Sequence, residues 1–373
     1  MPPTVDKHDI LLNYEPVDPH PRFRKAGLAP ATGSVEASIP KSPSWPSGLA
    51  PKAAPIDPAP SESDPLTRFA GFDAVVVTWT AAEASALATL FTPGYPIGSW
   101  YEYRHNIKDY IPLVTGSRAP FNSSSSEMTR YFHSLGLYMP CSIGAVRVLL
   151  VKSGLHLDYD GPAIPVRKLM LEIALAVKPK VFITTGTGGG IGKDMLLGDV
   201  VIAGTVRFDC REQFKAQKWA QAGYRASSLT AGAQAAVSGS GPLTSVNATR
   251  IPGARPVPRF YSTSDDAVVT TDFFAFDDST DHYGLQKPGN RACDMGDAMV
   301  ANAMQEATQS LPHLTWYSIR NASDPQIPNP RNDIQAAEKE ASQIYSRYGG
   351  LTTAASVIAS WAVVASAGKG GGS

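Results

Sequence analysis

The feature that most constrains the fold is the alternation of short apolar runs with helical patterns from residue 69 onward. The first run, residues 72–79 (FDAVVVTW), is rich in β-branched residues, and an apolar pattern with helical spacing follows it over 81–91. Uninterrupted apolar runs of this kind are typical of strands in a sheet that helices cover on both faces. The pattern therefore predicts an α/β fold: a mixed, mainly parallel central sheet flanked by helices, in a three-layer sandwich.

The later elements continue the alternation. We predict strands over 137–143, 146–157, 180–185, 197–206 and 315–320, and helices over 167–177, 295–310, 332–348 and the alanine-rich C-terminus. The last helix has nearly the length of a membrane span, but its Ala, Ser and Thr content favours a buried helix. We therefore expect no membrane contact.

The N-terminal region differs in composition from the rest of the chain. Fourteen of the 31 prolines lie within the first 65 residues, and proline removes backbone donors and blocks regular helix. We interpret this region as an arm that is either disordered or packed on a neighbouring subunit through Tyr14, Phe23 and Trp45. The predicted organisation is an arm over 1–68, a domain over 69–367 with insertions near 94–136 and 212–258, and a flexible tail over 368–373.

Charge and cysteine content exclude several classes of function. The formal net charge is zero, which argues against a broad basic surface for nucleic acid. Cys141, Cys210 and Cys293 lie far apart and form no CxxC pair, as expected for reduced thiols. Because the N-terminus lacks the apolar segment of a secretory signal, we expect a cytoplasmic protein. The histidines lack metal-ligand spacing, so we expect neither a metal nor a cofactor.

Candidate chemical groups follow several predicted strands, where ligands bind in sheets of this type. Glu83 follows the first strand, the glycine run 186–190 follows the strand over 180–185, and Asp324 lies beyond the strand over 315–320. Each also has a structural interpretation. Glu83 fits the first turn of a helix, the glycines fit a tight packing turn, and Asp324 precedes Pro325 as a turn residue would.

The glycine run does not have the spacing of the common nucleotide-binding motifs. A dinucleotide fingerprint needs glycines at offsets of two and five, but the third position is Ile191 counting from Gly186 and Lys193 counting from Gly188. No GKS or GKT follows for a phosphate-binding loop. Glycines here would let backbone amides approach phosphate or sugar oxygens closely.

The order of these segments resembles the nucleoside phosphorylase and nucleosidase superfamily, in particular its methylthioadenosine/S-adenosylhomocysteine nucleosidase branch, over about residues 73–367. The shared order is a glutamate after the first strand, TGTGGG, a GDVV strand ending in RFD, a helix start containing DM and a strand ending in SD. The most specific segment is PKVFITTGTGGGIGKDMLLGDVVIAG. The resemblance implies the same fold, a homo-oligomer, and hydrolysis of the N-glycosidic bond of a purine nucleoside or nucleoside-like molecule.

The resemblance also implies roles for two carboxylates. Asp324, beside Ser323, corresponds to the acid that serves the base, and Glu83 corresponds to the glutamate that positions water. By analogy with inverting glycosidases, we expect a single displacement with inversion. Thr184 stands where phosphorolytic members carry an arginine, so hydrolysis is favoured over phosphorolysis.

One position departs from the family pattern. The family reads DME or EME, with a glutamate that binds the ribose hydroxyls, whereas Gly296 follows Met295 here. Asp297 comes one residue later, which turns it about 100° away on a helix. Either Asp297 is re-aimed, or the ligand has a modified or absent ribose.

The remaining ligand contacts implied by the resemblance are less specific. Val268 and Val269 match the base-lining segment by position, Arg207 is the candidate partner of an anionic group, and Phe273 and Phe274 either stack on a ring or belong to the core. The predicted substrate-binding residues are Thr187, Gly188, Gly189, Arg207, Val268, Val269, Met295, Gly296, Asp297 and Ser323.

Three alternatives to a nucleosidase stay open. One is a phosphorylase that recruits arginines from elsewhere, and another is a divergent biosynthetic enzyme that uses the base-side acid for different chemistry. The third is a ligand-binding protein on the same scaffold, because a fold does not fix a function.

Overall fold

The computed structural model describes residues 43–114, 134–155, 164–211, 214–238, 251, 253–272 and 287–367. The strands are β1 (Pro51–Ala53), β2 (Ala74–Thr78), β3 (Tyr101–Tyr103), β4 (Gly136–Ile143), β5 (Val146–Ser153), β6 (Val181–Gly190), β7 (Val200–Ile202), β8 (Thr205–Asp209), β9 (Gly223–Arg225), β10 (Phe260–Tyr261), β11 (Ala267–Thr271), β12 (Asn290–Asp294) and β13 (Thr315–Asp324). The α-helices are α1 (Ala81–Phe91), α2 (Ile107–Val114), α3 (Pro165–Val177), α4 (Ala231–Ser238), α5 (Asp297–Ser310) and α6 (Ile334–Ala367), and short 3-10 helices cover Leu66–Phe69 and Ile97–Ser99.

All of these strands belong to one mixed sheet. Its main path runs β1-β4-β5-β2-β6-β12-β11-β8-β9, and β13 pairs with both β6 and β7. The central pairs β5-β2, β2-β6 and β6-β13 are parallel, as are β12-β11 and β11-β8. The outer pairs β1-β4, β4-β5 and β8-β9 are antiparallel. This arrangement confirms the predicted α/β fold with a mainly parallel central sheet.

Two hydrophobic cores explain why the strand sequences are apolar throughout. Val75 and Val77 of β2 pack into a core with α3 and α5, whereas Ala74 and Val76 pack into the opposite core with α1 and α6. Successive side chains of a strand point to opposite faces, so a strand covered on both sides needs apolar residues at every position. Burying a side chain of this size stabilises the fold by roughly 1.5–3 kcal/mol.

The glycine segment is part of a strand, and its prediction as a loop was wrong. β6 continues through the glycines to Gly190 because β13 pairs with it along its whole length, with Asn321 opposite Thr187 and Asp324 opposite Gly189. A Cβ atom on Gly188 would lie 2.8 Å from the carbonyl oxygen of Cys293. Glycine is therefore needed here so that neighbouring strands can approach.

Two further element boundaries differ from the prediction. The strand predicted over 197–206 is divided into β7 and β8 at Gly204, where a Cβ atom would lie 2.5 Å from the carbonyl oxygen of Thr263. The two helices predicted after residue 332 are the single helix α6, which continues through Gly349. The hydroxyl of Thr353 donates a hydrogen bond to the Gly349 carbonyl.

The C-terminal half of α6 is a core element. Its segment Arg347–Ala367 is long and apolar enough to cross a membrane by length and composition, and 83% of its most apolar window is buried inside the protein. A long helix that packs within a core passes the same test as a membrane span. The buried helix predicted for this segment is confirmed.

Residues 43–68 pack on the domain. β1 pairs with β4, and the ring of Trp45 lies 4.9 Å from that of Trp361 on α6, measured between centroids. The Trp361 indole N–H donates a 2.8 Å hydrogen bond to the carbonyl of Leu49. Trp45 therefore contacts its own chain. Tyr14, Phe23 and the predicted tail over 368–373 lie outside the described residues.

Candidate active site

The carboxyl ends of β2, β6 and β13 and the start of α5 bring the predicted acidic residues together. Glu83 is the third residue of α1, the helix that follows β2, and Asp324 is the last residue of β13. Asp297 is the first residue of α5. Acidic groups and glycines thus meet at the carboxyl ends of the central strands, where ligands bind in folds of this type.

Glu83 is buried and its carboxylate is fully hydrogen-bonded. It forms a capping box with Thr80, and its Oε2 accepts from Thr78 Oγ1 (3.1 Å) and from the backbone N–H groups of Trp79 (2.9 Å) and Thr80 (3.0 Å). Its Oε1 accepts from the N–H and the hydroxyl of Thr187, both at 2.7 Å. A carboxylate has about four lone-pair sites. The geometry therefore fits the helix-capping interpretation of Glu83, and no oxygen is left for water.

Gly186 makes room for this carboxylate. A Cβ atom at position 186 would lie 2.4 Å from Oε1 of Glu83 and 2.8 Å from Nη1 of Arg320. Real Cβ atoms do not approach backbone or fixed polar atoms so closely, so only glycine fits. The sequence predicted that a ligand lies close to the glycine run. At Gly186, the groups that lie close are instead the charged side chains of Glu83 and Arg320.

Arg320, which the sequence analysis missed, lies at the centre of the buried charges. Its Nε donates to Asp297 Oδ2 at 2.8 Å, and its Nη2 donates to Asp297 Oδ1 and lies 3.1 Å from Asp294 Oδ2. Its Nη1 lies 3.7 Å from Glu83 Oε1. Burial opposes the charge, but these carboxylates raise the pKa of Arg320 above its ordinary value. The signal in the sequence was one arginine in the interior of a strand whose other charged residue, Asp324, lies at its end.

Asp297 is fully buried and committed to this arginine. Besides Arg320, it accepts a hydrogen bond from the hydroxyl of Ser318. The prediction that Asp297 is re-aimed toward a sugar is therefore not supported by its contacts, since both carboxylate oxygens have donors within the protein. The position is explained by charge balance in the core.

Asp294 caps the start of α5. Its Oδ2 accepts from the N–H groups of Gly296 (3.1 Å) and Asp297 (2.8 Å), and its Oδ1 accepts from the Thr270 hydroxyl at 2.6 Å. Burial and the nearby charge of Asp297 raise the pKa of Asp294 to about 7, although Arg320 opposes the shift. The capping interpretation of an aspartate at this helix start matches these contacts.

Asp324 differs from the other acidic groups because it has a single partner. Its Oδ1 accepts a 2.7 Å hydrogen bond from the Ser323 hydroxyl, and no described residue donates to its Oδ2. Burial raises the pKa of Asp324 to about 6, which the Ser323 hydrogen bond opposes. A carboxyl with this pKa holds a proton in part of the molecules near neutral pH and can donate it.

The surroundings of Asp324 are apolar and narrow. Cys293, Val269 and Ile191 form a small hydrophobic cluster. The Cys293 thiol faces the Gly189 carbonyl at 3.4 Å, and burial, with the charges of Asp324 and Asp294, raises the pKa of that thiol. An apolar wall next to a weak acid is the setting in which a carboxyl keeps its proton.

Strand alternation separates the two valines predicted to line a base. Val269 belongs to the cluster with Cys293, whereas Val268 points into the core shared with α5. The role predicted for Val268 was therefore wrong, because adjacent strand residues face opposite sides of the sheet.

Arg207 lies beyond Val269 on β8, which pairs in parallel with β11 and places the two residues opposite each other. Its Nη2 atom is buried and, among the described residues, has no hydrogen-bond partner. This geometry is compatible with the predicted contact to an anionic or carbonyl group of a ligand. Phe273 and Phe274 lie outside the described residues.

Gly296 lies against an indole ring. A Cβ atom at position 296 would lie 3.1 Å from Cζ2 and 3.2 Å from Cε2 of Trp79. Trp79 follows β2 and is buried. Met295, which precedes Gly296, is half-buried. The space where a longer side chain at 296 would start is therefore occupied by an aromatic ring.

Two more buried polar groups face the Glu83 region without having been predicted. Lys152 on β5 is fully buried and donates to the Ser153 carbonyl at 3.1 Å. Burial lowers the pKa of Lys152 to about 7, although Glu83 opposes the shift. The hydroxyl of Tyr345 on α6 lies 3.2 Å from the Thr80 hydroxyl. A lysine inside the apolar run VRVLLVKS was the available signal.

A comparison with known protein families identifies the family of this chain. Residues 105–348 match the family model of the phosphorylase superfamily, which is more than half of the chain. The chain belongs to the phosphorylase superfamily. The resemblance to nucleoside phosphorylases and nucleosidases is thereby confirmed. No curated protein matches the sequence.

Several solved structures align with this superfamily member. The 5'-methylthioadenosine/S-adenosylhomocysteine nucleosidase of Neisseria meningitidis, in complex with methylthio-immucillin-A, aligns at 16% identity with a TM-score of 0.45, covering 79% of this chain and 99% of the other. The futalosine hydrolase of Helicobacter pylori aligns at 13% identity with a TM-score of 0.47, covering 79% and 97%.

Proposed function

We propose that this member of the phosphorylase superfamily hydrolyses the N-glycosidic bond of a purine nucleoside or nucleoside-like small molecule. The observation that carries the proposal is Asp324: a carboxyl at the carboxyl end of a central strand, with one free oxygen and a raised pKa. Such a group supplies the proton that a departing base needs.

The reaction balances as follows. The bond between the anomeric carbon and the base nitrogen breaks with its electron pair going to the base, and the base takes the proton of Asp324. Water forms the new bond to the anomeric carbon and loses a proton, so the products are free base and free sugar. Ser323 holds the Asp324 carboxyl in place through its 2.7 Å hydrogen bond.

We assign Glu83 to positioning within this proposal. It binds the N–H and hydroxyl of Thr187 and so fixes the strand that runs to Gly189 beside Asp324. Because both of its oxygens are occupied, the proton lost by water passes to solvent. Water that adds to a carbon with oxocarbenium character needs little help from a base.

Two features of the site support water over phosphate. Thr184 stands at the position of the phosphorolytic arginine, and its buried hydroxyl has no hydrogen-bond partner in the described part of the chain. The nearby guanidinium of Arg320 is already bound to Asp297. Phosphate would need another cation to grip it, and Arg207, whose buried Nη2 has no hydrogen-bond partner among the described residues, is the candidate for that role.

The test is base release from methylthioadenosine, adenosine, inosine and their 2'-deoxy forms, with and without phosphate, for the wild type, Asp324→Asn and Asp265→Asn. Loss of a general acid costs about 10²–10⁴-fold in rate, so we expect this loss for Asp324→Asn. Asp265 is exposed, so Asp265→Asn retains wild-type release and serves as the control.

The outcomes separate the alternatives. Phosphate-independent release that requires Asp324 supports hydrolysis, and release that requires phosphate indicates phosphorolysis instead. If none of the nucleosides releases its base, the proposal is wrong, and a binding protein or a different chemistry on the same fold takes its place.

A further inference from the structure

Three of the four acidic side chains at the carboxyl ends of these strands, Glu83, Asp294 and Asp297, are buried and already hydrogen-bonded within the protein. Glu83 accepts five hydrogen bonds from Thr78, Trp79, Thr80 and Thr187. A sugar hydroxyl could bind to this group only by displacing a donor that the protein itself supplies. Such an exchange leaves a buried donor unsatisfied, which costs about as much as the new bond contributes.

The two aspartates of this region are occupied in the same way. Asp294 accepts from Thr270 and from two N–H groups at the start of α5. Asp297 is held by Arg320 and the Ser318 hydroxyl. Asp324 alone among the four keeps a carboxylate oxygen without a described donor, and the proposed function assigns that oxygen to the base.

Trp79 closes the position from which a further acceptor might extend. Its indole carbons lie 3.1–3.4 Å from the point where a Cβ atom of residue 296 would be. The backbone N–H of Trp79 is tied to Glu83 at 2.9 Å, which fixes the start of α1 beside the ring. Any side chain at 296 would therefore require the packed Trp79 indole to shift by a few tenths of an ångström.

We propose that this site binds its sugar without a carboxylate. Its substrates are then N-glycosides whose 2' and 3' hydroxyls do not contribute to recognition. Trp79 and Gly296 are the specificity-determining pair, and nucleosides with deoxygenated or substituted sugars are accepted as well as ribosides. This inference rests on the proposed function for the placement of the sugar. A site built to hydrogen-bond a hydroxyl rejects the analogue without it by about 10⁴-fold, whereas an apolar wall does not.

The experiment compares binding, because deoxygenation also changes the intrinsic lability of the glycosidic bond. Affinities of adenosine, 2'-deoxyadenosine and 2',3'-dideoxyadenosine are measured by calorimetry with Asp324→Asn, and cleavage of the same three is measured with the wild type. We expect the three affinities to agree within about threefold, since no acceptor is lost with the hydroxyls.

A second pair of variants tests the residues themselves. Trp79→Ala with Gly296→Glu removes the ring and adds an acceptor, and we expect it to prefer adenosine over the dideoxy analogue by about tenfold or more. Trp79→Ala alone is the matched control, in which no preference arises. Thermal melts show whether each variant is folded, and if the double variant is not, the comparison in Asp324→Asn still decides.

The outcomes distinguish this inference from the proposed function. Equal binding with cleavage supports both, and equal binding without cleavage supports the inference while overturning the nucleosidase. Binding or cleavage that falls by about a hundredfold without the diol overturns the inference and leaves the nucleosidase in place. Absence of binding by all three nucleosides overturns both.

Discussion

Asp324 and the cluster around Arg320 lie at the same edge of one sheet and use the same kind of side chain differently. In the cluster, Glu83, Asp294 and Asp297 share one guanidinium and a set of backbone and hydroxyl donors. Among the described residues, the Ser323 hydroxyl alone donates a hydrogen bond to the Asp324 carboxylate. The comparison teaches that burial alone does not mark a catalytic acid. What distinguishes Asp324 is an oxygen that the protein leaves unoccupied.

The electrostatic consequences of the two environments also differ. Close opposite charges stabilise the ionised form of a carboxylate, whereas burial favours its neutral form. In the cluster both effects act, and burial with the charge of Asp297 raises the pKa of Asp294 to about 7 although Arg320 opposes the shift. Burial raises the pKa of Asp324 to about 6, and no cation contributes to that shift. The first region is thus expected to serve stability, and the second is expected to serve proton transfer.

Removing Arg320 is the strongest test of this difference. Arg320→Met leaves three buried carboxylates without their cation, and breaking a buried ion pair from one side costs about 3–5 kcal/mol of unfolding free energy. Urea unfolding followed by circular dichroism measures it. Arg104→Met, which breaks an exposed pair with Glu62, is the control and costs at most about 1 kcal/mol. Equal losses in both variants would contradict the structural role of the cluster.

Glu83→Gln is expected to have a smaller effect on stability. The amide nitrogen would face the N–H and the hydroxyl of Thr187. The hydroxyl can turn to accept a hydrogen bond, so the bond from the Thr187 N–H is the one lost, and losing a hydrogen bond to a charged group costs about 1.5–3 kcal/mol. The same unfolding experiment measures it. Glu340→Gln changes an exposed residue of α6 and should be neutral. A stable Glu83→Gln protein that has lost base release would instead support the role predicted for Glu83 from the sequence, the positioning of the attacking water.

In contrast to the two preceding variants, Asp324→Asn should stabilise the protein relative to the wild type, and only above acidic pH. The native protein keeps a proton on Asp324 up to about pH 6, whereas the unfolded chain releases it near the ordinary aspartate pKa of about 4. The wild type therefore loses unfolding free energy as pH rises through this window. The variant, which has no proton to release, does not.

Thermal melts at several pH values measure this effect. The stability of the Asp324→Asn protein relative to the wild type should increase from about pH 4 to pH 6 and stay constant above that range. Asp265→Asn, at an exposed position, should show no such trend. A variant that loses stability relative to the wild type at neutral pH would mean that Asp324 is held ionised by a partner.

Local pattern was sufficient for much of the fold. The run FDAVVVTW predicted β2, and the pattern after it predicted α1 with the bounds that the structure has. Residues 186–190 were misjudged because glycine has low strand propensity, while the pairing of β13 with β6 is a tertiary effect. In the same way, packing on both sides carries α6 through two glycines that would end an isolated helix.

The site was only partly predictable for a related reason. Sequence order identified Asp324 and Glu83, but it did not show how many donors surround each carboxylate. Arg320 was overlooked because a single charged residue in a strand gives no spacing to recognise. The sequence showed that Gly296 stands where the family has an acidic residue. It did not show that Trp79 packs against Gly296, because the two residues are more than two hundred positions apart.

The contact of Trp45 and Leu49 with Trp361 has a practical meaning for work with this protein. Trp361 lies on the same helix as Tyr345, about 24 Å away at 1.5 Å per residue, and Tyr345 contacts the Thr80 cap of α1. A shortened chain that starts at residue 69, where the composition changes, would expose that tryptophan and remove β1 from the edge of the sheet. A shortened chain for crystallisation should therefore begin ahead of Trp45.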